Sequence, residues 1–142
     1  MDYKVHAESG CQLLARLAPR PPLHGLDDHI LTLNPNETTT IEVKGQPGSG
    51  KSMLLLKWAA KAILPKMYGG LGAGALLIDT DMHFSIFTLR NLLEALLLQH
   101  PERLSGSAKE VAIKSALEQF TVISICDGFQ LRATLLTLDK VS

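Results

Sequence analysis

One segment of the 142-residue chain has residue types and spacing suited to binding a nucleotide. It runs from Gly45 through Gly50 to Lys51 and Ser52, which fits the pattern G-x-x-x-x-G-K-[S/T]. Glycines let the backbone wrap around phosphate with its N–H groups pointing inward, and a helix that follows directs its positive end at the same anion. Lys51 would reach the β and γ phosphates, and the Ser52 hydroxyl would bind Mg²⁺. The predicted site for ATP and Mg²⁺ consists of Gly45, Gln46, Pro47, Gly48, Ser49, Gly50, Lys51 and Ser52.

This loop pattern has two other interpretations that the residues leave open. A glycine-rich turn between a strand and a helix can carry a lysine that contacts no phosphate. Many unrelated enzymes also share a phosphate loop, so the motif alone indicates a phosphate-bearing ligand and no particular reaction.

Acidic residues follow a second predicted strand, and one of them is a candidate catalytic residue. Asp79 and Asp81 end the apolar run that begins at Ala75. Ligands and catalytic groups collect at the carboxyl ends of parallel strands. There Asp81 would face the γ-phosphate and orient a water molecule. The alternative is that Asp81 caps the strand end or the next helix.

A second apolar run that ends in an acidic residue has the pattern of a Walker B strand, whose acid holds Mg²⁺. It comprises residues 135–139 and ends at Asp139. Residues 130–136, however, have apolar positions at helical spacing directly after a predicted strand. The pattern therefore favours a helix here.

The elements that would position these residues alternate along the chain. The β-branched and apolar runs predict strands over 39–44, 75–79 and 120–126. The remaining periodic segments predict helices over 51–64, 85–99, 107–119 and 129–140, with Pro65 ending the first of them. Such alternation predicts an α/β fold in which a parallel sheet is covered by helices. On the amino-terminal side of these elements, the sequence predicts a short helix over 7–17 and a proline-rich loop over 18–39.

Composition and charge limit which binding partners and which cellular compartment suit the chain. Hydrophobic residues make up 46% of the chain, which suits a globular core. Lys plus Arg and Asp plus Glu both number 14, so no global charge attracts nucleic acid and any DNA contact needs a local patch or a partner. Two cysteines fit a reducing compartment, and the amino terminus lacks the features of a secretory leader. No apolar stretch approaches the ~18 residues that suggest a membrane span.

Three segments around the phosphate loop resemble a known family. They are Thr40-Ile41-Glu42-Val43 before the loop, Leu64-Pro65-Lys66 with Gly69-Gly70-Leu71 after its helix, and Leu77-Ile78-Asp79-Thr80-Asp81. Together they resemble the ATPase core of eukaryotic RecA-type recombinases and their paralogues. The spacing Leu-Pro-x-x-x-Gly-Gly-Leu is more telling than the phosphate loop, because unrelated enzymes share the loop.

The resemblance implies a P-loop NTPase with a RecA-like three-layer parallel sheet. Residues 1–38 would hold the amino-terminal helix and proline-rich loop, and residues 39–142 the amino-terminal half of the ATPase core. In this family the Walker B aspartate and both DNA-binding loops lie further along the chain than Ser142, so we expect a core truncated before the Walker B strand. Asp81 occupies the position of the glutamate that activates water in active recombinases, and its side chain is one methylene shorter.

The resemblance also implies a function in the nucleus. Such proteins join other recombinase paralogues in hetero-oligomeric complexes, contact single-stranded or branched DNA, and act in homologous-recombination repair of double-strand breaks. We therefore expect an ATP-binding subunit with weak or no hydrolysis alone, and a DNA-dependent ATPase only where the catalytic site is complete. Two alternatives remain: an active P-loop ATPase, or a small phosphotransferase unrelated to recombination, although the arginine-rich lid of such enzymes is not evident.

Overall fold

The structure is a computed structural model that describes residues 25–27, 30–31, 40–99 and 106–138. The helix predicted over 7–17 and most of the proline-rich loop lie outside these residues. Within them, helices and strands alternate as the sequence predicts. The order is α1 (Lys51–Ile63), β1 (Ala75–Asp79), α2 (Ile86–Leu97), α3 (Gly106–Glu118), β2 (Phe120–Ser124) and α4 (Gly128–Leu138).

The two strands form a parallel sheet. Ala75 is paired with Phe120 at one end of the ladder and Asp79 with Ser124 at the other. Helices α2 and α3 make the crossover between the strands, as parallel pairing requires. The N–H of Ile125 continues the contact beyond the ladder by donating to the Asp79 carbonyl at 3.0 Å. The predicted α/β class with parallel strands is confirmed for this part of the chain.

The strand predicted over 39–44 is not formed in the described residues 40–44, and that prediction is wrong there. Thr40, Ile41 and Val43 favour extended backbone, but a strand also needs a neighbour to accept its hydrogen bonds. Strands β1 and β2 pair with each other, and neither pairs with this segment. The described sheet therefore has two strands rather than the larger layer expected.

Helix α1 ends where proline predicts, and the chain then folds back on it. Leu64, before Pro65, is extended with φ −62° and ψ 134°. A short 3₁₀ helix follows over Lys66–Tyr68. The backbone then returns along the last turn of α1, because the N–H of Ala73 donates to the Ala62 carbonyl at 2.8 Å. These bonds fix the end of α1 against the segment that leads into β1.

The core lies between helices α1, α2 and α3. Helix α2 contributes a stripe at every fourth residue, Leu89, Leu93 and Leu97, all of them fully buried. The buried cluster comprises Ala60, Ile63, Leu64, Tyr68, Leu89, Leu93, Leu97, Ala112, Ile113 and Ala116. Helix α4 adds no buried residue to it. None of the described helices combines the length and apolarity that crossing a membrane requires.

Candidate nucleotide-binding site

The loop from Gly45 to Gly50 has the backbone that its glycines predict. Gly48 and Gly50 have φ of 77° and 88°, in the left-handed region that side chains disfavour. Between them, the N–H of Ser49 donates to the Gln46 carbonyl at 3.2 Å and closes a tight turn. Gly50 is then the N-cap of α1. The glycines are therefore required by the shape of the turn at positions 48 and 50.

The Lys51 side chain folds over this loop. Its Nζ donates to the carbonyls of Gly45 at 2.9 Å and Gln46 at 2.8 Å. Loop residues 45–50 are all exposed, while Lys51 is half-buried. The ammonium is thus held at the loop itself, which concentrates positive charge where the first N–H groups of α1 are also found.

The donors of this loop fit a nucleoside triphosphate with Mg²⁺. The first turn of α1 supplies backbone N–H groups without an intrahelical partner, and Lys51 supplies a cation. Ser52 is exposed in that same turn, where its hydroxyl is accessible to a metal ion held by phosphate oxygens. Among the described residues, no group of three histidines, cysteines or carboxylates forms a separate metal site.

The two aspartates at the carboxyl end of β1 have different surroundings. The Asp79 carboxylate accepts the N–H of Phe84 at 2.9 Å and that of Asp81 at 3.2 Å. These backbone donors, Phe84 first, lower the pKa of Asp79 below its usual range, against a smaller opposing effect of desolvation. Asp81 is exposed, and no described residue bonds to its carboxylate. Asp81 does not cap α2, because Ser85 is the N-cap residue of that helix.

Steric contact explains the second glycine of the Leu-Pro-x-x-x-Gly-Gly-Leu segment. A β-carbon at Gly70 would collide with the Leu64 carbonyl oxygen. Gly69, beside it, has φ 80°. The two glycines therefore permit the close return of the chain onto the end of α1, the helix that begins at the loop of residues 45–50.

Residues 135–138 lie in helix α4, as the helical interpretation predicts. Asp139, the acid of the imitated Walker B run, lies outside the described residues.

One contact of helix α1 could not be predicted from the sequence. The indole N–H of Trp58 donates to Asp27 Oδ2 at 3.3 Å, and the Lys57 Nζ lies 3.8 Å from the same oxygen. The Asp27 side chain is only 7% exposed. Since 31 positions separate Asp27 from Trp58, no local pattern could have predicted that they meet.

Comparison with known proteins finds relatives of one kind. No protein-family model matches the chain. It is 37% identical to "DNA repair protein XRCC2" of Mus musculus over 142 positions, which is 99% of this chain and 48% of the mouse protein. It is 35% identical to "DNA repair protein RAD51 homolog 3" of Cricetulus griseus over 61% of this chain and 23% of that protein. It is 39% identical to "DNA repair protein RAD51 homolog 2" of Arabidopsis thaliana over 63% of this chain and 24% of that protein.

These alignments confirm the resemblance to RecA-type recombinase paralogues that the sequence predicts. The alignment with the mouse protein covers nearly every residue of this chain, including the nucleotide loop and Asp81. The chain spans about half the length of the mouse relative and about a quarter of the other two. The α/β arrangement with a parallel strand pair agrees with such a relationship.

Proposed function

We propose that this chain acts in DNA repair by recombination, as an ATP-binding subunit of a complex of recombinase paralogues that repairs double-strand breaks. The observation that carries the proposal is the 37% identity over 99% of the chain to a mouse DNA repair protein. Two further relatives bear the name of DNA repair proteins as well. We place the function in the nucleus, where double-strand breaks in chromosomal DNA arise.

The loop geometry supports the nucleotide part of the proposal. Left-handed backbone at Gly48 and Gly50 shapes the turn, and Lys51 brings a cation to it. Both features favour anion binding at the N-terminus of a helix. ATP is proposed to lie along Gly45 to Ser52, with Mg²⁺ held by the Ser52 hydroxyl and phosphate oxygens. The proposed fold is accordingly a P-loop NTPase of the RecA type.

Asp81 is the candidate for orienting the water that attacks the γ-phosphate. Its carboxylate is exposed just beyond the carboxyl end of β1. An aspartate reaches one methylene less far than the glutamate of active recombinases. Phosphoryl transfer also depends on groups that neutralise charge in the transition state, and a neighbouring subunit can supply them. We therefore propose weak or no hydrolysis by the chain alone.

DNA contact is proposed to occur through the complex. The chain has no net charge at neutral pH, which gives it no long-range attraction to phosphate backbones. The partners are other recombinase paralogues, and the DNA is single-stranded or branched.

A recombination reporter tests this proposal in cells of the source organism. One induced break is placed in the reporter, and repair is compared in cells with and without the gene. Removal is expected to lower recombination several-fold and to be reversed by re-expression. Unchanged repair after removal would contradict a role in recombination.

The same cells separate the nucleotide part of the proposal from the rest. Re-expression of Lys51→Ala should restore repair poorly if ATP binding is needed. Lys44→Ala is the matched control, because Lys44 is an exposed lysine just before the loop, and among the described residues its ion pair is with exposed Glu42 at 3.2 Å. Equal repair by both variants would remove ATP binding from the proposal while leaving the repair role intact.

A further inference from the structure

We infer that Asp79 is a positioning residue that fixes the loop of residues 80–84 and so determines where Asp81 stands; this rests on the proposed nucleotide-binding function. The aspartate itself is assigned no contact with the nucleotide. Its carboxylate is used inside the protein, by the backbone of the loop that follows it.

Both carboxylate oxygens of Asp79 take part. Oδ1 accepts the N–H of Asp81 at 3.2 Å, and Oδ2 accepts the N–H of Phe84 at 2.9 Å. The backbone N–H groups of Met82 and His83 act on the same carboxylate, since they too lower its pKa. One side chain therefore accepts hydrogen bonds from two backbone N–H groups of the loop, three positions apart.

Asp79 is itself held in place by the sheet. Asp79 is the last residue of β1 and pairs in register with Ser124 of β2. Its own carbonyl accepts the N–H of Ile125 at 3.0 Å. The backbone of Asp79 is thus fixed by the sheet, and its side chain transmits that fixed position to the loop.

The loop contains a conformation that needs such support. Met82 has φ 55°, and it is the one residue other than glycine with positive φ in the described part of the chain. A side chain in this region costs energy and persists where the surroundings impose it. The carboxylate bonds on either side of Met82, to Asp81 and to Phe84, are the interactions that impose it.

The far end of the loop is held by packing. The Phe84 ring lies 5.5 Å from the Phe120 ring, centroid to centroid, beside the buried core. Asp81, Met82 and His83 between the two anchors are exposed. The result is a short loop tied at both ends that presents the Asp81 carboxylate in one place.

Amide hydrogen exchange on the full chain, followed by NMR, tests this inference. Asp79→Asn keeps one uncharged acceptor oxygen in place of two charged ones, so exchange should rise at least about tenfold at one or both of the amides of Asp81 and Phe84, the factor expected for losing one bond to a charged acceptor. Asp81→Asn is the matched control, because it removes a carboxylate from the same loop but no described hydrogen bond, and it should leave these rates unchanged. Exchange at the Leu93 amide reports global opening; it should stay the same in Asp81→Asn and rise in Asp79→Asn by no more than the loss of global stability. Unchanged loop rates in Asp79→Asn, or equal increases in both variants, would overturn the inference.

A second measurement decides if Asp79→Asn does not fold. In the unmutated chain, the amide protons of Asp81 and Phe84 should shift during acid titration with the same midpoint as the Asp79 carboxyl carbon. Asp81 and His83 in the loop, and Cys126 and Asp127 after β2, are the other groups that titrate nearby, and their own resonances identify them. Amide shifts that follow one of these groups and not Asp79 would contradict the inference.

Mg·ATP separates this inference from the proposed function. In the unmutated chain, the nucleotide should slow exchange in residues 81–84 further. Asp79→Asn should bind ATP with an affinity within about threefold of that of the unmutated chain, because the Asp79 side chain bonds to the loop backbone and not to the nucleotide. Loss of one charge-assisted bond to ATP would instead weaken binding about tenfold. Asp79→Asn should also lose the added protection. No binding by the unmutated chain would end the proposed nucleotide function, while the exchange comparison without nucleotide would still test Asp79 as the anchor of the loop.

Discussion

Asp79 and Asp81 lie two positions apart at the carboxyl end of the same strand, yet the structure gives them different surroundings. Sequence reasoning places both acids at the carboxyl end of β1, and the structure agrees. It could not divide their roles, because that depends on which backbone N–H groups turn toward which carboxylate. The turn has positive φ at Met82, and a methionine in the sequence does not indicate positive φ as a glycine would.

Acid should weaken the contribution of Asp79 to stability. Its pKa is lowered by the Phe84 and Asp81 N–H groups, so the charged form is favoured in the folded chain. A lowered folded pKa means that the stabilisation is present above the unfolded value of about 3.9 and is lost as pH falls through the folded value. Thermal melts of the unmutated chain and Asp79→Asn should therefore differ at pH 6 and converge toward pH 3. Asp81→Asn removes no described hydrogen bond and should melt like the unmutated chain at pH 6. A difference between Asp79→Asn and the unmutated chain that grows in acid would contradict this prediction.

Asp27 should stabilise the helix that carries the nucleotide loop. Trp58 is 6% exposed and its indole N–H donates to Asp27, so Asp27→Ala leaves a buried donor without its acceptor. The expected cost is about 1–3 kcal/mol in the free energy of unfolding by urea. Asp27→Asn keeps an acceptor and should lose less. Because Trp58 is the only tryptophan, its emission should shift to the red in Asp27→Ala; identical emission and stability in all three proteins would contradict the contact.

Among the elements, those bounded by strong local signals are the ones that the sequence predicts well. Helix α1 was expected over 51–64 and is formed over Lys51–Ile63, because a glycine begins it and Pro65 ends it. Strand β1 has the predicted bounds, since an unbroken apolar run follows glycines. The strand expected over 39–44 had an equally favourable composition. Within the described part of the chain no strand pairs with it, and composition carries no information about neighbours.

The return of the chain after α1 should be sensitive to a single methyl group at Gly70. A β-carbon there meets the backbone carbonyl of Leu64, which is 1% exposed and cannot easily move. Gly70→Ala should therefore lower the free energy of unfolding by about 1–3 kcal/mol, as overpacking does.

Gly74→Ala is the control for that substitution. The nearest atom to its β-carbon would be the Gln119 carbonyl oxygen at 3.8 Å, an ordinary contact. Gly74→Ala should change the free energy of unfolding by no more than about 1 kcal/mol, because its main effect is on the conformational entropy of the unfolded chain. Urea unfolding of both variants tests the comparison, and equal stability would show that the close approach is absent in solution.

For the molecule as a whole, the pattern predicts which segments are helices but not which helices share a core. Helices α1, α2 and α3 bury one cluster around Leu93. Helix α4 is as apolar in sequence, yet Phe129 is 89% exposed and Leu136 is 58% exposed. A helix buries its apolar face against whatever the fold brings to it, which is a long-range property. The match to the mouse DNA repair protein over 99% of the chain therefore gives more information about the fold than periodicity does.

ATP binding at the proposed site can be tested on this chain without any partner. Thermal unfolding followed by circular dichroism, with and without Mg·ATP, compares the full chain with Lys51→Ala and the control Lys44→Ala. ATP at 100 times its Kd should stabilise the chain and the control by about 2.7 kcal/mol and raise their Tm. Lys51→Ala should show a much smaller shift, because it lacks the ammonium that lies over the loop. Equal shifts in all three proteins, or none in the unmutated chain, would contradict ATP binding at Gly45 to Ser52.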